Sequence, residues 1–581
     1  MPHHLERFVT IGAATSPSLS RDGKRLFHLR GSGLPQVWAL DLATGEEQQL
    51  TFHDEKVALL RRSPVDDRLI YGIDRGGDER QQLWLLRPGD EPRPLTANAA
   101  VIHDFGAWSP DGAKIAYAAN ERDEAHFDVY VQDVATGIRQ CVYQGSNLIS
   151  VSGFRPDTAK LALLHDRGYG DMSLLVLDLA NGEVSHVAGP ANWQSVRWAS
   201  NGESLLALTD LNSEFLRLCR VGDGYTVVYA ADDRDVEAWS LSPDGTVLAT
   251  VENDRGYGVL RVGPVEGERP IVSGLPSGVV TDLTWSPDST MLAFSASSPT
   301  DPPGLWLWRD GAVRAAWQPE PGDFIDLELV EWQSFDGRRI PGWLALPANG
   351  KPPFPAIVWV HGGPVGQTRP NFRPDIQMLL SQGFAVLMPN VRGSSGYGRS
   401  YTKSDDAEKR LDSVTDLANG HAWLAAHPAI DAERIGIMGQ SYGGFMVMSA
   451  ITEHPGLWRA AVNYYGIADF STLLATTGAW RRNHRAAEYG NGSELFARIS
   501  PIHRVDHIRV PVLIAHGSRD PRVPVGESEQ FVTALRERQM KVIYETFDYA
   551  GHGFIRPDDR QRIYRAVAEF FREHLSTPTS P

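Results

Sequence analysis

The sequence predicts a seven-bladed β-propeller followed by an α/β-hydrolase domain with a doubly wound, mostly parallel sheet. Three observations predict it. One turn recurs seven times in the first half of the chain; a Gly-x-Ser-x-Gly turn joins a strand to a helix in the second half; and an acid and a histidine follow that serine in chain order, each after a further strand.

The repeated turn is Ser-Pro-Asp-Gly and its degenerate relatives. Its Asp-equivalent positions are 22, 65, 111, 157, 201, 244 and 288, a period of 43 to 46 residues. Repeats of that length, each holding several short strands, are propeller blades: a single blade cannot bury both its faces, so neighbours stack around an axis. An apolar run such as 114–117 follows each turn, and a strand and turn such as 129–137 follow that. Trp108, Trp198 and Trp285 open three of the turns and are read as packing between blades. The second repeat has Val65-Asp66 where Asp-Gly is expected and is the weakest match. Its charged loop Gly76-Gly77-Asp78-Glu79-Arg80 reads as a solvated hairpin turn, with no ligand assigned.

The blade pattern stops at the proline-rich stretch 318–322. The expected domains are therefore 1–322, a propeller with a short N-terminal extension, and 323–581, a hydrolase. With 581 residues, 42% of them hydrophobic, the chain can bury two cores without crosslinks or cofactors, and no cofactor is expected. The formal charge of 56 − 72 = −16 argues against a nucleic-acid partner. Cys141 and Cys219 fall in different predicted blades, so no disulfide is expected, and no residue cluster has metal-ligand spacing. The amino terminus lacks a signal pattern and no apolar run is long enough for a bilayer, so a cytoplasmic protein without a membrane partner is expected.

In the second half, the strand-like run 434–438 leads into Gly439-Gln440-Ser441-Tyr442-Gly443-Gly444 and then a helix-like run. Glycines flanking the serine allow a sharp turn that presents its hydroxyl, so Ser441 is the candidate nucleophile. A buried strand at 511–515 ends in a loop carrying Asp520, and the strand at 541–547 leads to Gly551-His552-Gly553. His552 is the candidate base and Asp520 the group that holds its tautomer. The turn His361-Gly362-Gly363-Pro364 follows another strand and supplies an oxyanion donor. The donors are assigned to the Tyr442 and Gly363 N–H groups, with Gly362 as the competing choice.

These motifs, with Asp336-Gly337, 390–398, Ser500-Pro501, His516-Gly517 and Arg522-Val523-Pro524, give the region from about Asp336 onward its resemblance to the prolyl oligopeptidase family of serine peptidases, and within it to the acylaminoacyl-peptidase branch. The resemblance implies that Arg522 holds a substrate main-chain carbonyl and that a backbone amide serves the oxyanion. It further implies short peptides as substrates, screened by the propeller, and a homo-oligomer. The expected activity is hydrolysis of short peptides, N-acylated or otherwise restricted at one end, through an acyl-enzyme on Ser441. A carboxypeptidase of the same family and a small-molecule esterase or amidase stay open as alternatives. The carboxypeptidase reading would use Arg481 or Arg482, which read more simply as a solvated helix face or a domain contact.

Overall fold

The computed structural model describes residues 2–576; position 1 and positions 577–581, at the outer ends of the two expected domains, lie outside the described residues. Residues 13–317 form seven antiparallel sheets, each made of consecutive strands. Burial grades outward along a blade. In the third, the strand Lys114–Asp123 buries Ile115 through Ala119 without alternation, because neighbouring blades cover both faces, while the outermost strand Arg139–Tyr143 is largely exposed.

The repeated turn is a hydrogen-bonded clamp. The serine hydroxyl donates to the aspartate two residues on, at 2.5 Å in Ser109–Asp111 and Ser242–Asp244 and 2.6 Å in Ser286–Asp288. The same oxygen accepts the N–H that starts the next strand, at 2.9 Å from Lys114, Val247 and Met291. Trp108, Trp198, Trp239 and Trp285 each donate an indole N–H to a backbone carbonyl of the preceding blade, on Arg61, Gly153, Ser195 and Ser240, at 3.1 to 3.3 Å. In the second blade Asp66, one place later than the repeat predicts, takes over by accepting the Arg68 N–H at 3.1 Å. The sixth blade keeps three strands and reduces its outer one to a single bridge between Arg261 and Ile271.

Among the described residues no strand is shared between the first and seventh sheets, where the ring closes. The first blade meets the seventh through the Ala14 N–H to Pro303 carbonyl bond, 2.9 Å, and an apolar seam in which Leu19, Leu26 and Leu40 pack on Ala293, Leu305 and Leu307.

The hydrolase domain is an eight-stranded sheet. Its strands are β1 (Glu328–Gln333), β2 (Arg339–Ala345), β3 (Phe354–Val360), β4 (Ala385–Pro389), β5 (Ile430–Gln440), β6 (Ala461–Tyr464), β7 (Val512–Gly517) and β8 (Val542–Phe547), in the order β1-β2-β4-β3-β5-β6-β7-β8. Pairing is antiparallel from β1 to β4 and parallel beyond. Along β3, Ala356, Val358 and Val360 enter the core on one face and Ile357 and Trp359 the core on the other, as a strand covered on both sides requires. Strand order reverses beside β3, between β4 and β5, which opens a crevice at the carboxyl ends of β3 and β5.

The short extension assigned to the propeller packs instead on the hydrolase domain. Helix Pro2–Thr10 sets Leu5, Phe8 and Val9 into the same core as Ile563, Val567 and Phe571 of helix Pro557–Leu575, because its one apolar side finds no blade to cover it. Polar contacts between the domains include Arg369–Glu237 at 2.7 Å, Arg255–Glu331 at 2.6 Å, Tyr549–Glu55 at 3.0 Å and Asn483–Asn147 at 2.7 Å. Among the described residues no helix is long and apolar enough to cross a membrane.

The seam predicts a stability effect. Leu305→Ala, which opens a cavity between the first and seventh blades, is expected to cost about 2–5 kcal/mol and to lower the denaturant midpoint. An unchanged midpoint would show that the seam does not hold the ring closed.

Candidate active site

Ser441 leaves β5 with φ 57° and ψ −120°, a conformation that costs a non-glycine residue about 1–3 kcal/mol. Its N–H is pinned to the Tyr464 carbonyl at 2.9 Å, and its carbonyl accepts from Phe445 at 3.0 Å as helix Tyr442–Glu453 begins. The turn fits only because Gly443 has no side chain: a Cβ there would lie 2.2 Å from the Val360 carbonyl oxygen and 2.6 Å from that of His361.

The structure brings Asp520 and His552 together. His552 Nδ1 lies 2.6 Å from Asp520 Oδ2, while Asp520 Oδ1 accepts the Arg522 and Val523 N–H groups at 2.8 and 3.0 Å. Burial opposes charge on Asp520, but hydrogen bonds from His516 and His552 outweigh it and hold the carboxyl below the usual carboxylate range. Burial also lowers His552, against the pull of Asp520, so the imidazole is neutral near pH 7 and can act as a base. Among the described residues no hydrogen bond joins Ser441 Oγ to His552, though both line one cavity; catalytic hydrogen bonds of this type tighten when substrate is bound.

Two neighbours of the pair, Tyr465 and His516, were given no role from the sequence. Tyr465 sets its ring 4.6 Å from that of His552 and donates its phenol to Gln440 at 3.2 Å. His516, fully buried, sits with Nε2 2.8 Å from the Val523 carbonyl and 3.5 Å from Asp520. A Tyr-Gly pair after β6 and a His-Gly pair ending β7 were the available signals, but neither states a contact.

The turn holding the other oxyanion candidate lines the same cavity as Ser441. Burial keeps His361 neutral despite its bond to Gly362, so Nδ1–H donates to the Gly362 carbonyl at 2.8 Å. In a trans peptide the N–H opposes the carbonyl, so the Gly363 N–H faces away from that imidazole. Among the described residues neither the Gly363 nor the Tyr442 N–H has an acceptor, and Tyr442 is the first residue of its helix, where the dipole adds positive potential. Gly362, the competing choice, also lies against Ser441: a Cβ on it would be 3.3 Å from Ser441 Cβ. Downstream, Asn390 clamps Thr368, accepting its N–H at 2.6 Å and donating to its carbonyl at 2.9 Å, which anchors the loop after the oxyanion turn.

Arg522 lines the cavity and donates through Nε to Glu79 of the propeller, whose second oxygen takes Arg481. The loop read as a solvated turn is thus part of the site, with Glu79 itself at φ 60°. The two domains' backbones touch there. A Cβ on Gly551 would fall 2.1 Å from the Gly77 carbonyl oxygen, so the glycine before His552 is required by the propeller loop against it. Arg485 pairs with Glu488 at 2.8 Å, and Arg482 is exposed.

The cavity encloses about 780 Å³, walled by Ser441, His552, Tyr465 and the oxyanion turn on one side and by Tyr169, Asn192 and Trp193 of the propeller on the other. A second space of about 440 Å³ shares Asp166, His484, Arg485 and Arg522 with it and is lined by Glu79.

A sequence profile of the prolyl oligopeptidase family matches residues 370–577, and one of the TolB β-propeller domain matches residues 87–324. The chain is 32% identical over 600 residues to dipeptidyl aminopeptidase BIII of Pseudoxanthomonas mexicana, which spans 95% of this chain and 85% of that protein. A puromycin-hydrolyzing peptidase of Mycobacterium tuberculosis superposes with a TM-score of 0.86 at 20% identity, over 99% of this chain and 96% of that one. An acylaminoacyl peptidase of Pyrococcus horikoshii superposes with a TM-score of 0.76 at 19% identity, over 99% and 98%. At these identities the two structures speak to the fold.

The electrostatics predict the pH profile. Activity that needs neutral His552 is present above its pKa and lost as pH falls through it, so the acid limb of kcat/KM has its midpoint below the ordinary histidine value of about 6.5. Arg522 is one of the groups that lower His552, so Arg522→Gln moves the limb to higher pH. A limb that stays in place in this variant would disprove the coupling.

Proposed function

The chain belongs to the prolyl oligopeptidase family and is a serine peptidase, and from that premise we propose that it cleaves short peptides with a blocked or acylated amino end through an acyl-enzyme on Ser441. The observation that carries this reading is the 2.6 Å bond from His552 to Asp520, beside a cavity lined by Ser441 and Gly363, with Tyr442 next in the chain to Ser441. His552 takes the Ser441 proton as Oγ attacks the scissile carbonyl. The Tyr442 and Gly363 N–H groups stabilise the oxyanion, and His552 returns the proton to the leaving amine. Water then repeats the cycle on the ester.

The cavity size and its two-domain walls support short peptides over folded proteins. Arg522 supplies N–H donors for a substrate main-chain carbonyl. The end preference rests on the Arg481–Glu79–Arg522 cluster, in which both oxygens of the Glu79 carboxylate are already taken by arginines and none is left for a free ammonium, which suits a neutral acyl end. One feature favours a second reading, removal of dipeptides from free amino ends: Glu79 is a carboxylate at the cavity edge that could exchange an arginine for an ammonium, and the 32%-identical relative is named a dipeptidyl aminopeptidase. The carboxypeptidase alternative loses support, since Arg481 is committed to Glu79 and Arg482 is exposed outside the cavity wall.

Cleavage of matched peptides with free and acetylated amino ends, followed by mass spectrometry, tests the proposal. Release of acetylated amino acids by the wild type, with turnover reduced by about 10⁴-fold or more in Ser441→Ala, is the expected result. Dipeptides released only from free amino ends, with that activity lost in Glu79→Gln, would replace it by the second reading.

A further inference from the structure

Tyr442 contributes more than an amide. Its side chain is fully buried behind the nucleophile, where the phenol donates to Asp405 Oδ2 at 2.8 Å and lies 3.1 Å from both Arg410 Nη1 and Ser413 Oγ. Arg410 Nη1 also donates to Asp405 at 2.6 Å, and Asp405, Arg410 and Ser413 are all at 0% exposure. The other end of the guanidinium leads to the cavity wall: Nη2 donates to the Glu488 carbonyl at 2.7 Å, and Glu488 and its partner Arg485 line the cavity. The guanidinium carbon lies 5.2 Å from the ring centres of both Tyr442 and Tyr489, which are stacked at 6.5 Å and 12°.

An ion pair so buried is poor value as a source of stability, because well-packed apolar residues usually serve as well or better. What apolar residues cannot do is fix the phenol at one point through directed bonds. The cavity-wall helix Ala479–Tyr489, Arg410, Asp405 and the phenol form one hydrogen-bonded path that ends at the residue carrying the oxyanion amide.

We propose that Asp405 and Arg410 are positioning residues, which hold Tyr442 so that its N–H points at the developing oxyanion and which tie that amide to the helix lining the substrate cavity. The proposal rests on the reading of Ser441 as nucleophile and the Tyr442 N–H as donor.

Tyr442→Phe keeps the ring and the amide and deletes only the hydroxyl. Its kcat is expected to fall at least about tenfold with KM within about twofold, short of the roughly 10²- to 10³-fold loss from removing an oxyanion donor outright. Affinity for a peptide boronic acid, which forms a tetrahedral anion on the nucleophile, should fall by the same factor, while a simple loss of folded protein would not weaken the affinity of the remainder. Arg410→Lys, which keeps the charge but cannot span Tyr442 and the Glu488 carbonyl together, should show the same split. Wild-type kcat and boronate affinity in Tyr442→Phe would overturn the inference alone. Failure of the wild-type protein to form a Ser441 adduct would overturn the reading beneath it, and the inference with it.

Discussion

Everything at this site depends on the backbone of one residue. Ser441 is held at φ 57°, outside the conformations its side chain prefers, by a pin to the Tyr464 carbonyl and by the helix that starts at its own carbonyl. That strain persists because β3 and β5 meet at the point where strand order reverses, and because Gly443 lets the helix start lie on the carbonyls of Val360 and His361. The same close approach brings the His361-Gly362-Gly363 turn after β3 beside Ser441 after β5. A bulkier residue at 443 would separate them, and Ser441, the His361-Gly362-Gly363 turn and His552 would no longer line one cavity.

The propeller acts on this site from across a polar interface. Its Gly76-Gly77 turn lies on the backbone before His552, and Glu79 takes one arginine from the Asp520 loop and one from the cavity-wall helix. The charge next to the candidate base is therefore set jointly by two domains. Interfaces of this polar kind permit relative motion of the domains they join. A change in that relation would alter both access to the cavity and the field at His552.

Local chemistry made much of this legible. The Ser-x-Asp clamps and the inter-blade tryptophans work over a few residues or one repeat, so their period of 43 to 46 residues predicts seven blades, and even the irregular second turn is a one-residue shift onto Asp66. The nucleophile, acid and base stand out because each is a short motif after a strand. The unread parts are those that depend on distant segments. Glu79 and Arg522 are 443 positions apart, and nothing near Glu79 distinguishes it from the charge of an ordinary turn. Asp405 and Arg410 look like a solvated charge run until helix Tyr442–Glu453 and Tyr489 cover them, and the N-terminal helix is too short to declare which domain it joins.

The central claim is that His552, oriented by Asp520, activates Ser441 and no other serine. Labelling with a fluorophosphonate, which reacts with activated serine hydroxyls, followed by peptide mass mapping, tests this most directly. The account predicts a single adduct on the peptide carrying Ser441, lost in His552→Ala. An adduct on a different serine, or undiminished labelling of Ser441 without His552, would contradict it.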